Sequence, residues 1–172
     1  MDSIKTGLAP IARSDARLFI LGSLPGERSL AEARYYAHPT NQFWRLVGAA
    51  IGEDLHALDY DGRLERFAER GIGLWDVVAS ARRPGSLDQA IRDPSHNMIA
   101  ELPKRFPELE AIAFNGRRAA TEGRRLLGPS FDTVALIDLP SSSSAFTRPF
   151  ADKARDWAVL AHYCRPPRAT PR

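Results

Sequence analysis

Apolar residues fall along this chain in short blocks, and between the blocks they recur at helical spacing. "RLFILGS" (17–23) is an apolar run closed by the turn "LPGE", and it predicts a buried strand. "IGLWDVV" (72–78), "LEAIAFNG" (109–116) and "TVALIDLP" (133–140) repeat that pattern. "NQFWRLVGAAI" sets Phe43, Trp44, Val47, Ala50 and Ile51 on one helical face, so Phe43 and Trp44 read first as core. "DGRLERFAERG" predicts a second amphipathic helix with Gly71 as its stop. The stretch 79–90 reads as a loop and about 95–106 as a helix bent or interrupted at Pro103. "RRAATEGRRLLG" reads as a helix carrying Arg117, Arg118, Arg124 and Arg125. A last helix, about 149–163, is expected to bury Phe150, Ala154, Trp157 and Ala161.

Four apolar strands separated by helices predict an α/β fold, a three-layer α/β/α sandwich with a central four-stranded parallel sheet. The 172 residues fit one domain. The pattern divides them into an N-terminal extension (1–16), the domain (17–163) and a basic, proline-rich tail (164–172) expected to be disordered.

Composition then narrows the chemistry. A net charge of +3 and a pI near 9.3 permit an anionic partner without requiring one. One cysteine, Cys164, excludes an internal disulfide, a four-cysteine zinc site and a four-cysteine iron–sulfur cluster. His38, His56, His96 and His162 form neither H-E-x-x-H nor H-x₃-H, so the expectation is no metal and no cofactor. No run has the length of a membrane span and the first residues lack a signal peptide's apolar stretch; a cytoplasmic protein away from membranes is expected.

In an open α/β sheet the ligand lies beyond the carboxyl ends of the strands. Those ends carry "GSLPGERS", "WDVVASARRPGS", "FNGRR" and "LPSSSSAFTRP", rich in glycine, proline, serine and arginine. The first loop is neither a P-loop nor G-x-G-x-x-G, and no G-x-S-x-G elbow exists. Lys5, Lys104 and Lys153 lie away from the strand ends, which disfavours Schiff-base chemistry. Attached to the first loop is "YYAHPTNQFW" (35–44), four aromatics around a His-Pro turn and an asparagine.

"GSLPG" (22–26), "YYAHPTNQFW", "GIGLWDVVAS" (71–80), "FNG" (114–116) and "LPSSSSA" (139–145) together resemble, in order, the uracil-DNA glycosylase superfamily. The nearest branch is its family 6, the hypoxanthine-DNA (deoxyinosine) glycosylases, and the likeness spans about residues 17–163. The resemblance implies a single glycosylase domain, acting as a monomer on single- or double-stranded damaged DNA. It would flip a deaminated base, hypoxanthine or uracil, into a pocket and hydrolyse its N-glycosidic bond, leaving an abasic site without a metal. It assigns the functional asparagine of H-P-x-N to Asn41 and the base-stacking aromatic to Tyr36. Branches with a catalytic asparagine or aspartate in the first loop have no counterpart in Ser23 or Leu24. The fourth loop has Leu139 where a catalytic histidine often stands, and both departures move the burden to Asn41.

Asn41 has two readings: its carbonyl accepts from the attacking water, or its amide donates to the departing base. It is also a favoured helix N-cap. Asp76 either orients water or caps the next segment. The first loop (Gly22, Ser23, Leu24, Pro25 and Gly26) offers its backbone N–H groups to the base, Pro25 having none to give. His38 reads as a structural hydrogen-bonding residue at the pocket, Tyr35 as a surface-packing neighbour, and Asn115 as a turn residue first and a DNA contact second. Arg117, Arg118, Pro140, Ser141, Ser142, Ser143 and Ser144 are expected to face DNA phosphates. Phe146 is either a wedge into the base stack or a core residue. A non-catalytic DNA-binding relative and a small α/β nucleotide hydrolase are the other classes; the intact Asn41 argues against the first and the aromatic stretch against the second.

Overall fold

The protein is described by a computed structural model covering residues 3–129 and 131–169. In chain order the first elements are β1 (Ile4–Thr6), β2 (Leu18–Gly22), α1 (Glu27–Glu32), α2 (Phe43–Ile51) and α3 (Tyr60–Arg70). Next come β3 (Ile72–Asp76), β4 (Val78–Arg82), β5 (Arg92–His96) and α4 (Leu102–Arg105). The chain continues through β6 (Ala111–Asn115), α5 (Arg117–Leu127), β7 (Ala135–Leu139) and α6 (Phe150–Trp157).

Every residue of β2, β3 and β6 is buried, which explains why these strands are continuous apolar runs rather than alternating ones. They form a parallel four-stranded sheet in the order β3-β2-β6-β7. The two sides of β2 show the sandwich. Leu18 and Ile20 pack with α2, α3, Trp157 and Leu160, whereas Phe19 and Leu21 pack with Phe106, Leu102, Ala119 and Leu127. Burying each such large side chain stabilises the domain by about 1.5–3 kcal/mol. Gly71 closes α3 in the left-handed conformation, φ 76°, where glycine carries no Cβ penalty.

Residues 79–90, expected as a loop, contain most of β4. It pairs antiparallel with β1 and β5 in a second, three-stranded sheet. The expected helix at 95–106 is instead the end of β5, a 3-10 turn (Ile99–Glu101) and the four-residue α4. Pro103 sits in the first turn of α4, where a missing N–H costs nothing. The last helix also differs. After Trp157 it tightens into a 3-10 helix (Ala158–Tyr163), and the changed phase turns Leu160 inward and Ala161 out; Phe150 is exposed.

From Ile4 onward the N-terminal extension is stitched to the domain. β1 pairs with β4, Ile11 and Leu74 exchange backbone hydrogen bonds of 2.9 and 2.8 Å, and the Tyr35 hydroxyl donates to the Ala9 carbonyl. Of the tail expected to be disordered, 170–172 lie outside the described residues. Cys164 is buried, and the Arg165 N–H donates to the Arg70 carbonyl at 2.8 Å. Among the described residues no helix is long and apolar enough to cross a membrane.

Candidate active site

The sheet order reverses its sense between β2 and β6, and a crevice opens beyond their carboxyl ends. A cleft of about 1420 Å³ lies there. Its walls include the whole 22–26 loop, Tyr36, His38, Asn41, Asp76, Asn115, Arg117, Arg118, Pro140, Ser141 to Ser144 and Phe146, so the fold brings every candidate residue to one place.

Asn41 sits two residues before α2. Its Oδ1 accepts from the Phe43 N–H at 3.0 Å and from the Ser142 hydroxyl at 2.8 Å. A backbone N–H can only donate, so the amide orientation is fixed with oxygen inward. Both acceptor positions are filled, and Nδ2 has no protein partner among the described residues. Asn115, at the end of β6, takes the opposite part. Its Oδ1 accepts from Ser142 N–H at 2.9 Å, and its Nδ2 donates to Ser142 Oγ at 2.8 Å and Tyr36 Oη at 3.1 Å. With both donors spent, the buried Asn115 holds loops together and has none left for a base. The directed chain Asn115 Nδ2 to Ser142 Oγ to Asn41 Oδ1 polarises the Asn41 amide and makes its Nδ2 the better donor.

The aromatic stretch divides its work between neighbours. Tyr35, expected at the surface, is 2% exposed and belongs to the core. Tyr36 stands in the left-handed region at φ 52°, an uncommon conformation for a bulky residue, and this turns its ring into the cleft. One face of that ring stacks on Phe43, centroids 3.8 Å apart and planes within 10°. The Trp44 indole N–H donates to the Tyr36 carbonyl, holding the strained turn. Phe43 and Trp44 are buried, as their helical spacing indicates. His38 is exposed; its Nδ1 accepts from Thr40 N–H and its carbonyl from Asn41 N–H, a turn-forming role.

Asp76 ends β3 directly beside Gly22. A Cβ on Gly22 would stand 2.6 Å from Asp76 Oδ1 and 2.9 Å from Tyr36 Oη, so only glycine lets the carboxyl and the phenol share this space. The Asp76 carboxyl is pushed up to about 7, first by burial and then by the charge of Asp88, with Arg83 opposing. Its Oδ2 is buried without a hydrogen-bond partner among the described residues. Asp88, whose carboxyl is also raised by burial, accepts from the Ser23 hydroxyl at 2.5 Å. Arg83, 1% exposed, donates to the Leu24 and Pro25 carbonyls and so fastens the first loop from beneath.

At the rim, Arg117 is exposed and has no partner among the described residues. Arg118 is engaged within the protein, donating to Glu122 at 2.5 Å and to the Asp88 carbonyl at 3.2 Å. The serine loop is tied by its own side chains: Ser143 N–H donates to Ser141 Oγ and Ala145 N–H to Ser143 Oγ. Phe146 is 46% exposed on its far side and outside the core. Sequence reasoning missed Arg83, Asp88, Gln42 and Lys153. Their signals are weak, because charged and amide residues in polar loops look solvated until the fold buries them.

A cleft at the switch point of a parallel sheet, with an aromatic ring, a spare amide donor and a buried carboxyl, defines a site for a planar base. The family model described as the uracil DNA glycosylase superfamily matches residues 10–162, and the chain belongs to that superfamily. A "Hypoxanthine DNA glycosylase" of Methanosarcina acetivorans is 39% identical over 160 residues, 92% of this chain and 99% of the relative. Another so named, from Methanosarcina barkeri, is 38% identical over 154 residues, 90% and 96% of the two chains. The solution NMR structure of a Methanosarcina acetivorans protein described as a candidate uracil DNA glycosylase matches with a TM-score of 0.82 at 38% identity. It covers 94% of this chain and 99% of that one.

Proposed function

We propose that this protein is a monofunctional DNA repair glycosylase that flips a deaminated base into the cleft and hydrolyses its N-glycosidic bond, with hypoxanthine the principal base and uracil a second. Two relatives named for hypoxanthine support that choice. The observation that carries the mechanism is the fixed Asn41 amide, its oxygen saturated and its nitrogen free.

The C1′–N bond breaks with its electron pair leaving on the base, while a water oxygen bonds to C1′ and gives up a proton. Asn41 Nδ2 donates to the base as negative charge grows there, in a site where a preorganised donor is worth more than in water. Of the two readings of Asn41, the saturated Oδ1 favours this one. The Asp76 carboxyl, which lines the cleft, takes the water's proton when ionised. Tyr36, backed by Phe43, offers its remaining face to the flipped base, and backbone N–H groups of 22–26 line the base edge. Arg117 and the serine loop receive phosphates, and Phe146 fills the gap left in the stack. The reading uses no metal or cofactor. All the residues it uses come from one chain, so it asks for no second copy.

The test is release of free base from oligonucleotides carrying inosine, uracil, xanthine or ethenocytosine, with Asn41→Asp as control. The aspartate keeps an acceptor for Phe43 N–H and replaces the free donor by an acceptor. Wild-type protein should release hypoxanthine fastest, and a folded Asn41→Asp variant should lose about 10²–10³-fold, the worth of one such donor. No base released by wild type, or full activity in the variant, defeats the reading.

A further inference from the structure

Lys153 on α6 is 1% exposed, and none of the ion pairs among the described residues gives it a carboxylate. A buried ammonium without a counter-ion is costly and calls for a reason. Its Nζ donates to Gln42 Oε1 at 2.9 Å and to the Ser143 carbonyl at 3.1 Å. Those are the residues immediately after Asn41 and Ser142, whose side chains bond each other, while Gln42 N–H donates to the Ser142 carbonyl at 2.9 Å. Lys153 thus holds the Gln42 side chain on one side of the Asn41–Ser142 contact and the Ser143 backbone on the other. The same Nζ lies 5.3 Å from the centroid of the exposed Phe146 ring.

We propose that Lys153 is a positioning residue that locks the Asn41 turn to the serine loop, and that a DNA phosphate seated on that loop is the counter-ion its charge lacks. The proposal rests on the glycosylase reading for its rate effect, but its charge effect is read by binding alone. Two neutral oxygens take two of the three N–H donors and leave the charge unneutralised. The charged side chain acting on it is Arg148, also a cation and itself paired with Asp156 at 2.8 Å, so Lys153 gains no counter-charge there. Burial, then Arg148, holds the Lys153 ammonium below the usual lysine range. An arriving phosphate reverses that balance.

The chain has three lysines, Lys5, Lys104 and Lys153, so ¹³Cε labelling gives three signals in wild-type protein. On adding an undamaged oligonucleotide, the Lys153 titration should move to higher pH by at least half a unit, with Lys5 and Lys104 less affected. Lys153→Met, an apolar replacement for an unpaired buried charge, should stay folded by thermal melt. Its binding to undamaged DNA should lose about one unit of salt slope. Its single-turnover release of hypoxanthine should fall at least tenfold, and Lys153→Arg should restore the slope. An unmoved Lys153 titration in wild type, or an unchanged slope in folded Lys153→Met, overturns the proposal. Wild-type protein that shows both binding effects but releases no base defeats the glycosylase reading and leaves the phosphate contact standing.

Discussion

Ser142 and Asn41 lie 101 residues apart in sequence, and the Ser142 hydroxyl donates to Asn41 Oδ1 across 2.8 Å. That bond joins the turn before α2 to the loop after β7 at the mouth of the cleft. Ser142 Oγ itself accepts from Asn115, so three of the loops at the sheet's carboxyl edge act on one amide. The orientation of Asn41 is therefore set by the whole edge of the sheet rather than by its own turn.

Removing the middle of this chain should weaken catalysis without removing the donor. Ser142→Ala leaves Phe43 N–H to hold Asn41, so base release should drop about tenfold, the cost of one buried hydrogen bond of roughly 1.4 kcal/mol. Combined with Asn41→Ala it should add little further loss, because residues in one network are not additive. A double variant whose losses multiply in full would mean that Ser142 acts on DNA alone.

Tyr36 has one face against Phe43, so a base has only the other. Tyr36→Ala should cut excision by up to about a hundredfold, since a base–aromatic stack is worth about 1–3 kcal/mol. Binding to undamaged DNA should hardly change. Tyr36→Phe should keep most activity, because Asn115 Nδ2 loses one acceptor but retains Ser142 Oγ. Near-normal excision by Tyr36→Ala, in a lesion assay under single-turnover conditions, would remove the ring from the mechanism.

Which parts of this were legible follows from how each part is encoded. β2, β3 and β6 are buried on both faces, so their apolar runs carry the sheet openly. β4 and β5, "VASAR" and "RDPSH", are short, Pro94 interrupts the second, and neither alternation nor apolarity marks them. α1 is six residues long, too short for a period to show. That Asn41 and Tyr36 would come to the cleft was legible through motif resemblance. Lys153 was not, because the spacing that puts it under Ser143 is created only when α6 folds back on the serine loop.

The two arginines after β6 should behave differently despite their adjacency. Arg117 is exposed at the cleft, whereas Arg118 is spent on Glu122 and the Asp88 carbonyl. Arg117→Ala should reduce the salt slope of DNA binding by about one unit, for any sequence. Arg118→Ala should leave the slope nearly unchanged and lower the melting temperature. Equal slopes in wild type and Arg117→Ala, measured from 50 to 200 mM salt, would place Arg117 off the DNA path.

Asp76 ties activity and stability to the same proton. Its carboxyl, pushed up to about 7 by burial and by Asp88, can take a proton from the water only when ionised. Base release should rise about tenfold per pH unit below 7 and level off above it, and Asp76→Asn should be slow with no such rise. Stability runs the other way. The folded carboxyl keeps its proton to about pH 7, while the unfolded one releases it near 3.9, so the native state binds the extra proton in between. That contribution is fully present below about pH 4 and is lost as pH rises through 7, on the order of 4 kcal/mol in all. Asp88, raised in the same direction, adds to the trend. Asp76→Asn should therefore melt higher than wild type at pH 8, with the gap closing toward pH 5, while excising far less base. Catalysis that speeds up as pH falls from 8 to 5, with Asp76→Asn fully active, would show that the buried carboxyl serves packing and leave the water to another acceptor.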